Sequence, residues 1–175
     1  MTTLAVLLLA AGQGTRMNSK RQKILHEVGG KPMLLHLFTA AESIVDVRPV
    51  VVVGAGGAGV RALLGDRAQY ALQAEQMGTG HATMVARDLL NGRADQVIVT
   101  YGDMPLLKAE TLTRLALLQA ETDAAVVMLS VKGDPTSSFG RVVRGADGSV
   151  AEIVEVAEAK QRDNTADLLA IREQN

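Results

Sequence analysis

Apolar positions in this chain come in short blocks divided by glycine, and the first block sets the pattern. Leu4-Ala-Val-Leu-Leu-Leu-Ala-Ala11 is an unbroken apolar run that ends at Gly12-x-Gly14, as expected for a strand covered on both faces of a parallel sheet. Residues 50–53, four valines, predict a second buried strand, 70–74 a brief third and 96–101 a fourth. Helical spacing falls between them. Gly29-Gly30-Lys31-Pro32 places a proline at the start of a helix over 33–43, a short helix should end at Leu64, and longer ones are predicted over 81–90 and 109–120. A further strand is expected over 124–131. From Asp134 the pattern changes, because strands 140–144 and 150–156 flank the turn Gly145-Ala-Asp-Gly148 and so predict a hairpin. A polar loop or frayed helix over 158–164 and a last strand over 168–171 complete the expectation. The fold class is therefore α/β, a doubly wound and mainly parallel sheet with a β-rich C-terminal part.

Bulk composition narrows the chemistry more than the fold. The 175 residues are 47% hydrophobic with no internal shift in composition, so one domain over 1–175 is expected. A net charge of -1 gives no global attraction to nucleic acid or to an anionic membrane, and any phosphate site must be built locally. With no cysteine there is no disulfide, no thiolate metal site and no thiol nucleophile. The opening apolar run is too short to span a bilayer and lacks the flanks of a signal peptide, so the chain is expected to be cytoplasmic. Aromatic residues make up only 2%, which nearly excludes base stacking as a binding mode.

Two glycine loops compete for a ligand. Gly54-x-Gly56-x-x-Gly59 follows a strand with dinucleotide spacing, and Glu75 lies near the place of a ribose-binding acid. The short helix behind it, and the frequency of Gly/Ala turns after core strands, favour a tight connection without a ligand. The first loop fits neither standard phosphate signature, since Met17 stands at the third glycine position and no Gly-Lys-Ser/Thr follows. Yet Thr15, Arg16, Lys20, Arg21 and Lys23 gather hydrogen-bond donors and positive charge at the carboxyl end of a buried strand, where an open α/β sheet binds its ligand. That ligand should be anionic.

Leu9-Ala-Ala-Gly-Gln-Gly-Thr-Arg-Met17 with Lys23 resembles the signature of sugar-1-phosphate nucleotidyltransferases. Leu72-Gln-Ala-Glu-Gln-Met-Gly-Thr-Gly-His81 and Tyr101-Gly-Asp-Met-Pro-Leu106 sharpen the likeness. Together with Phe139-Gly-Arg141, Ile153-Val-Glu155 and Arg172-Glu-Gln-Asn175, they make nearly the whole chain similar, in order, to the uridylyltransferase domain of bifunctional bacterial N-acetylglucosamine-1-phosphate uridylyltransferases. The resemblance implies a Rossmann-like fold of the nucleotide-diphospho-sugar transferase type, with UTP and N-acetylglucosamine 1-phosphate as partners and Mg2+ as cofactor. It also implies a downstream asparagine metal ligand, the rest of the sugar-binding part, and a β-helix acetyltransferase domain that makes the full-length relatives homotrimeric. None of these lies within the 175 residues, so the domain is expected to be truncated at its sugar-binding end. A related enzyme with another base or sugar, and a nucleotide-binding fragment without turnover, remain alternatives.

Site residues carry over position by position. Leu9, Ala10, Ala11, Gly12, Gly14 and Thr15 would cradle the triphosphate through backbone N–H groups, and Arg16 and Lys23 would neutralise developing charge; a solvated basic loop is the alternative for these two. Lys20 and Arg21 are read as surface charge. Gln22 stands where many relatives have proline, which would loosen the loop. Gln73, Gln76, Gly78 and Thr79 match positions that read uracil, although Gln76 and Thr79 are also suited to cap the next helix. Asp103 is a hard oxygen ligand suited to Mg2+, or else a turn cap. Tyr101, Gly102, Gly140, Glu155 and Asn175 match the sugar-phosphate set; without the resemblance Glu155 reads as a strand-edge charge. His26, His36 and His81 have no ligand spacing and are expected to be structural.

Overall fold

The computed structural model describes residues 2–12, 14, 17–19 and 21–174. The chain divides into two units, Met1–Ala125 and Val126–Asn175. The first is built around β1, Leu4–Leu9, which lies between two parallel neighbours: β4, Val50–Val53, in register Leu7 to Val50, and β6, Gln96–Tyr101, in register Leu4 to Gln96. Ahead of β4 come the small hairpin of β2, Glu27–Val28, and β3, Lys31–Pro32, and the helix α1, Met33–Glu42. Next follow α2, Ala58–Leu64, β5, Gln69–Leu72, parallel to β4, then α3, Thr79–Met84, and α4, Arg87–Leu90; α5, Ala109–Thr122, follows β6. The order β5-β4-β1-β6 reverses direction at β1.

Side-chain alternation explains why β1 must be apolar throughout. Val6, Leu8 and Ala10 face Leu34, Leu37, Phe38, Val60, Leu64 and Leu112 of α1, α2 and α5, while Ala5, Leu7 and Ala11 face Ala82, Ala86 and Leu90 of α3 and α4. Val51 and Val53 divide from Val50 and Val52 in the same way. Each such Leu or Val, almost fully withdrawn from water, contributes about 1.5–3 kcal/mol. The layers put the carboxyl ends of β1, β5 and β6 on one rim, at the point where the strand order reverses.

Three of the four glycines of 54–59 are demanded by packing alone, which accounts for them without a ligand. A Cβ on Gly54 would stand 2.9 Å from the Ala11 carbonyl oxygen, on Gly57 2.6 Å from Val53 Cβ, and on Gly59 2.6 Å from Leu25 Cδ1. The expected helix 81–90 is two pieces, because the ladder tightens where Ala86 N–H bonds to the Thr83 carbonyl.

In the second unit β7, Val131–Lys132, pairs with β10, Glu173–Gln174; β10 also pairs with β8, Arg141–Arg144, which forms the expected hairpin with β9, Val150–Val154. Two expectations fail here. Residues 124–130 carry no strand, since among the described residues the apolar run finds no sheet neighbour and Val126 stays 81% exposed. Residues 168–171 belong mostly to the helix α7, Thr165–Ala170, not to a strand. Four apolar residues do not reveal their period, and Leu168 is buried against Val154 and Ala159 of α6, Val156–Ala159. Arg141 is fully buried and donates through Nη1 to the Phe139 carbonyl and through Nη2 to those of Pro135 and Ser137, fixing the loop that precedes β8.

Candidate active site

A cleft of about 570 Å³ opens at the carboxyl ends of β1, β5 and β6. Its floor is the end of β1 and the loop after it, Leu9, Ala10, Ala11, Gly12 and Gly14; Gln73, Gln76, Gly78 and Thr79 line it from the β5 side, and Tyr101, Asp103 and Lys23 complete it. Hydrogen bonds lock these elements together. Ala10 N–H donates to the Val52 carbonyl and Gly102 N–H to the Leu9 carbonyl, each at 2.9 Å, so the ends of β4, β1 and β6 cannot move apart independently. Gly102 is buried between the cleft residues Tyr101 and Asp103, and a Cβ there would fit tightly, 3.1 Å from Leu34 Cδ1 and 3.2 Å from the Leu9 carbonyl oxygen.

Gly14 has a backbone requirement of its own. Its φ is +66°, and a Cβ there would come within 2.5 Å of Lys23 Cβ, so only glycine lets the loop pass beside Lys23. Gln22 adopts φ -57°, ψ 141°, the conformation that a proline would fix, and leads into the 3-10 turn Lys23–Leu25. At this position glutamine therefore adopts the backbone conformation of a proline. Lys23 Nζ donates to Asp103 Oδ2 at 2.7 Å across the cleft, with side chains 43% and 35% exposed. Asp103 thus faces the opening loop, and its recorded partner is this ammonium rather than the backbone of its own turn. Arg21, by contrast, sits 3.9 Å from Glu27 with both side chains about half exposed, a surface pair.

Gln76 Nε2 donates to the Ala11 carbonyl at 2.8 Å and ties the loop after β5 to the loop after β1. The helix-capping alternative for this loop does not hold: Gly78, at φ +91°, is the N-cap of α3, with no side-chain bond there, and Thr79 is already inside the helix. Gln73 is buried, and its Nε2 reaches the Gly78 carbonyl and His81 Nδ1. Met17, Ile24 and Ala82 also line the cleft. They are apolar residues inside or beside the motifs and offered no chemical signal of their own.

The residues expected to bind sugar phosphate divide. Tyr101 and Gly102 belong to the first unit, while Gly140, buried at the start of β8, and Glu155, exposed and N-capping α6 through its backbone, belong to the second. Thr15, Arg16, Lys20 and Asn175 lie outside the described residues. His26 and His36 bond through Nε2 to the carbonyls of Arg21 and Val28, a structural use. Among the described residues no group of three or more His, Asp or Glu is placed to hold a metal ion by itself, and no helix is long and apolar enough to cross a membrane.

The comparisons agree with this geometry. The bifunctional protein GlmU of Exiguobacterium sibiricum is 44% identical over 169 residues, 97% of this chain and 36% of that protein, and GlmU of Levilactobacillus brevis is 45% identical over 164 residues, 93% and 36%. The chain thus spans little more than a third of the length of the curated relatives it matches. A CMP:2-keto-3-deoxy-manno-octonic acid synthetase solved with CTP superposes with a TM-score of 0.62 at 18% identity, over 87% of this chain and 64% of that one, a likeness of fold. Residues 6–170 match the model of the MobA-like NTP transferase domain, and the chain belongs to that family.

Proposed function

We propose that this chain is the nucleotidyl-transfer core of an enzyme that converts UTP and N-acetylglucosamine 1-phosphate into UDP-N-acetylglucosamine and pyrophosphate, a cell-wall precursor reaction. The observation that carries the reading is the Lys23 and Asp103 pair set across the cleft from the glutamine loop, in a chain 44% identical to GlmU. A phosphate oxygen of the sugar phosphate attacks the α-phosphorus of UTP in line, the bond from that phosphorus to the β-phosphate bridging oxygen breaks, and pyrophosphate carries the electron pair away. Little covalent help is needed. The backbone at Gly12 and Gly14 holds the triphosphate, Lys23 and Arg16 offset the charge that builds on the reacting and leaving oxygens, and Gln73 and Gln76 hold the base.

Asp103 suits Mg2+. It is a partly exposed carboxylate on the cleft, and this ion takes one or two carboxylates, water and substrate phosphates rather than an all-protein cage. When bound, the ion supplies charge neutralisation and alignment of the phosphates. Tyr101, Gly102, Gly140, Glu155 and Asn175 are assigned to the sugar phosphate. The test is pyrophosphate release by the purified chain with Mg2+ and a panel of nucleoside triphosphates and sugar phosphates. The expected result is turnover, or at least saturable binding, with UTP preferred; a chain that binds CTP in preference to UTP sinks the assignment of the glutamine loop.

A further inference from the structure

Gln73 is only 4% exposed, and its amide is not free to choose an orientation. One amide atom lies 3.2 Å from the Gly78 carbonyl oxygen, which can only accept, so that atom is Nε2 and not Oε1. The same Nε2 lies 3.2 Å from His81 Nδ1. An amide nitrogen only donates, so Nδ1 must accept, which puts the imidazole proton on the other ring nitrogen. Both protons of the Gln73 amide are then engaged inside the protein. Of a side chain that normally offers donors and an acceptor, only Oε1 is left for a ligand in the cleft.

We infer that His81 is a positioning residue that sets base specificity: together with the Gly78 carbonyl it turns Gln73 into an acceptor-only reader, selective for a base edge carrying a ring N–H. The inference rests on the reading of residues 73–79 as the base site. Uracil presents N3–H, which Oε1 accepts. Cytosine presents a lone pair at N3, and two acceptors would then face each other at the buried Gln73 amide, where an unmatched polar group is costly. His81 itself need not touch the nucleotide. Without an acceptor at Nδ1 the second amide proton loses its partner, and the Gly78 carbonyl alone is left to hold the amide, so its orientation is less firmly fixed.

Three proteins test this: the intact chain, His81→Leu, which removes the acceptor, and His81→Asn, whose Oδ1 replaces Nδ1 at the same distance along the side chain. Calorimetric affinities for UTP and CTP, both with Mg2+, give the ratio to be compared. His81→Leu is expected to lower the preference for UTP by roughly three- to tenfold, the weight of one buried hydrogen bond, and His81→Asn to restore it. Nitrogen-15 NMR of the ligand-free chain should show His81 protonated on Nε2 and bare on Nδ1. A proton on Nδ1, an unchanged ratio in His81→Leu, an equal loss of both nucleotides, or a failure of His81→Asn to restore the ratio each overturns the inference. An intact chain that binds neither nucleotide overturns the base-site reading itself, and the inference with it.

Discussion

At the scale of single residues, Lys23 and Asp103 should separate function from stability. Their ion pair is more than a third exposed at each end, and such pairs contribute about 0–1 kcal/mol. Lys23→Met and Asp103→Asn should therefore move the melting temperature by less than about 4 °C while lowering pyrophosphate release by about a hundredfold or more. A large drop in melting temperature with little change in turnover would make the pair structural instead. Gly14 behaves differently. Gly14→Ala places a Cβ at positive φ and against Lys23 Cβ, so it should cost about 1–3 kcal/mol and weaken UTP binding together. Gly12→Ala meets nothing within 4 Å and should leave denaturant midpoints almost unchanged. Much of the described cleft was legible in the sequence, because Leu9 to Gly14, Lys23, Gln73 to Thr79 and Tyr101 to Asp103 sit in ordered motifs. The bond from Gln73 to His81 was not, since a scattered histidine carries no spacing signal, and its use appears only when α3 places its ring beside the Gln73 amide.

At the scale of elements, legibility followed burial. The strands β1 and β4 were readable because both of their faces are covered, which requires an unbroken apolar run, and the helices α1 and α2 because one apolar face of each packs on the sheet. Residues 124–130 and 168–171 depart from the expected strands where runs of six and four apolar residues carry no period, and a sheet neighbour, present or absent, decides the outcome. The short strand β10 shows how such an element is held. Glu173 accepts from Arg144 Nε at 2.7 Å and from Ser130 Oγ at 2.7 Å, and these bonds hold its carboxyl down from an ordinary value near 4.5 to about 2. A carboxyl lowered on folding stabilises the native state above its ordinary range, and that contribution fades as pH falls toward the lowered value. The intact chain should thus lose thermal stability between about pH 4.5 and about 2. Glu173→Gln should be less stable at neutral pH and nearly flat across that window, and an equally steep decline in the variant would assign the acid sensitivity to other carboxyls.

At the scale of the whole molecule, the change from alternating strands and helices to a hairpin, visible in the sequence near Asp134, falls close to the boundary between the two units after Ala125. The units differ in what they bury. Both large clusters, from Ala5 to Leu112, belong to the first, while the second buries Val142, Val154, Ala159 and Leu168; Gln174 bonds the Asp134 carbonyl and Ser137, and Arg141 bonds carbonyls through Nη1 and Nη2 while its buried Nε has no partner among the described residues. A core of four buried apolar side chains in fifty residues cannot offset the conformational entropy of ordering them. Residues 126–175 alone should therefore show no cooperative thermal transition. Residues 1–125 should melt cooperatively and, since every described residue lining the cleft lies among them, bind UTP with Mg2+ within about tenfold of the intact chain, a difference of about 1.4 kcal/mol. If Gly140 and Glu155 receive the sugar, N-acetylglucosamine 1-phosphate should affect UTP binding in the intact chain and have no effect on residues 1–125. A shortened protein that folds but no longer binds UTP would show that the second unit supplies part of the nucleotide site; one that still responds to the sugar phosphate would move sugar recognition to Tyr101 and Gly102.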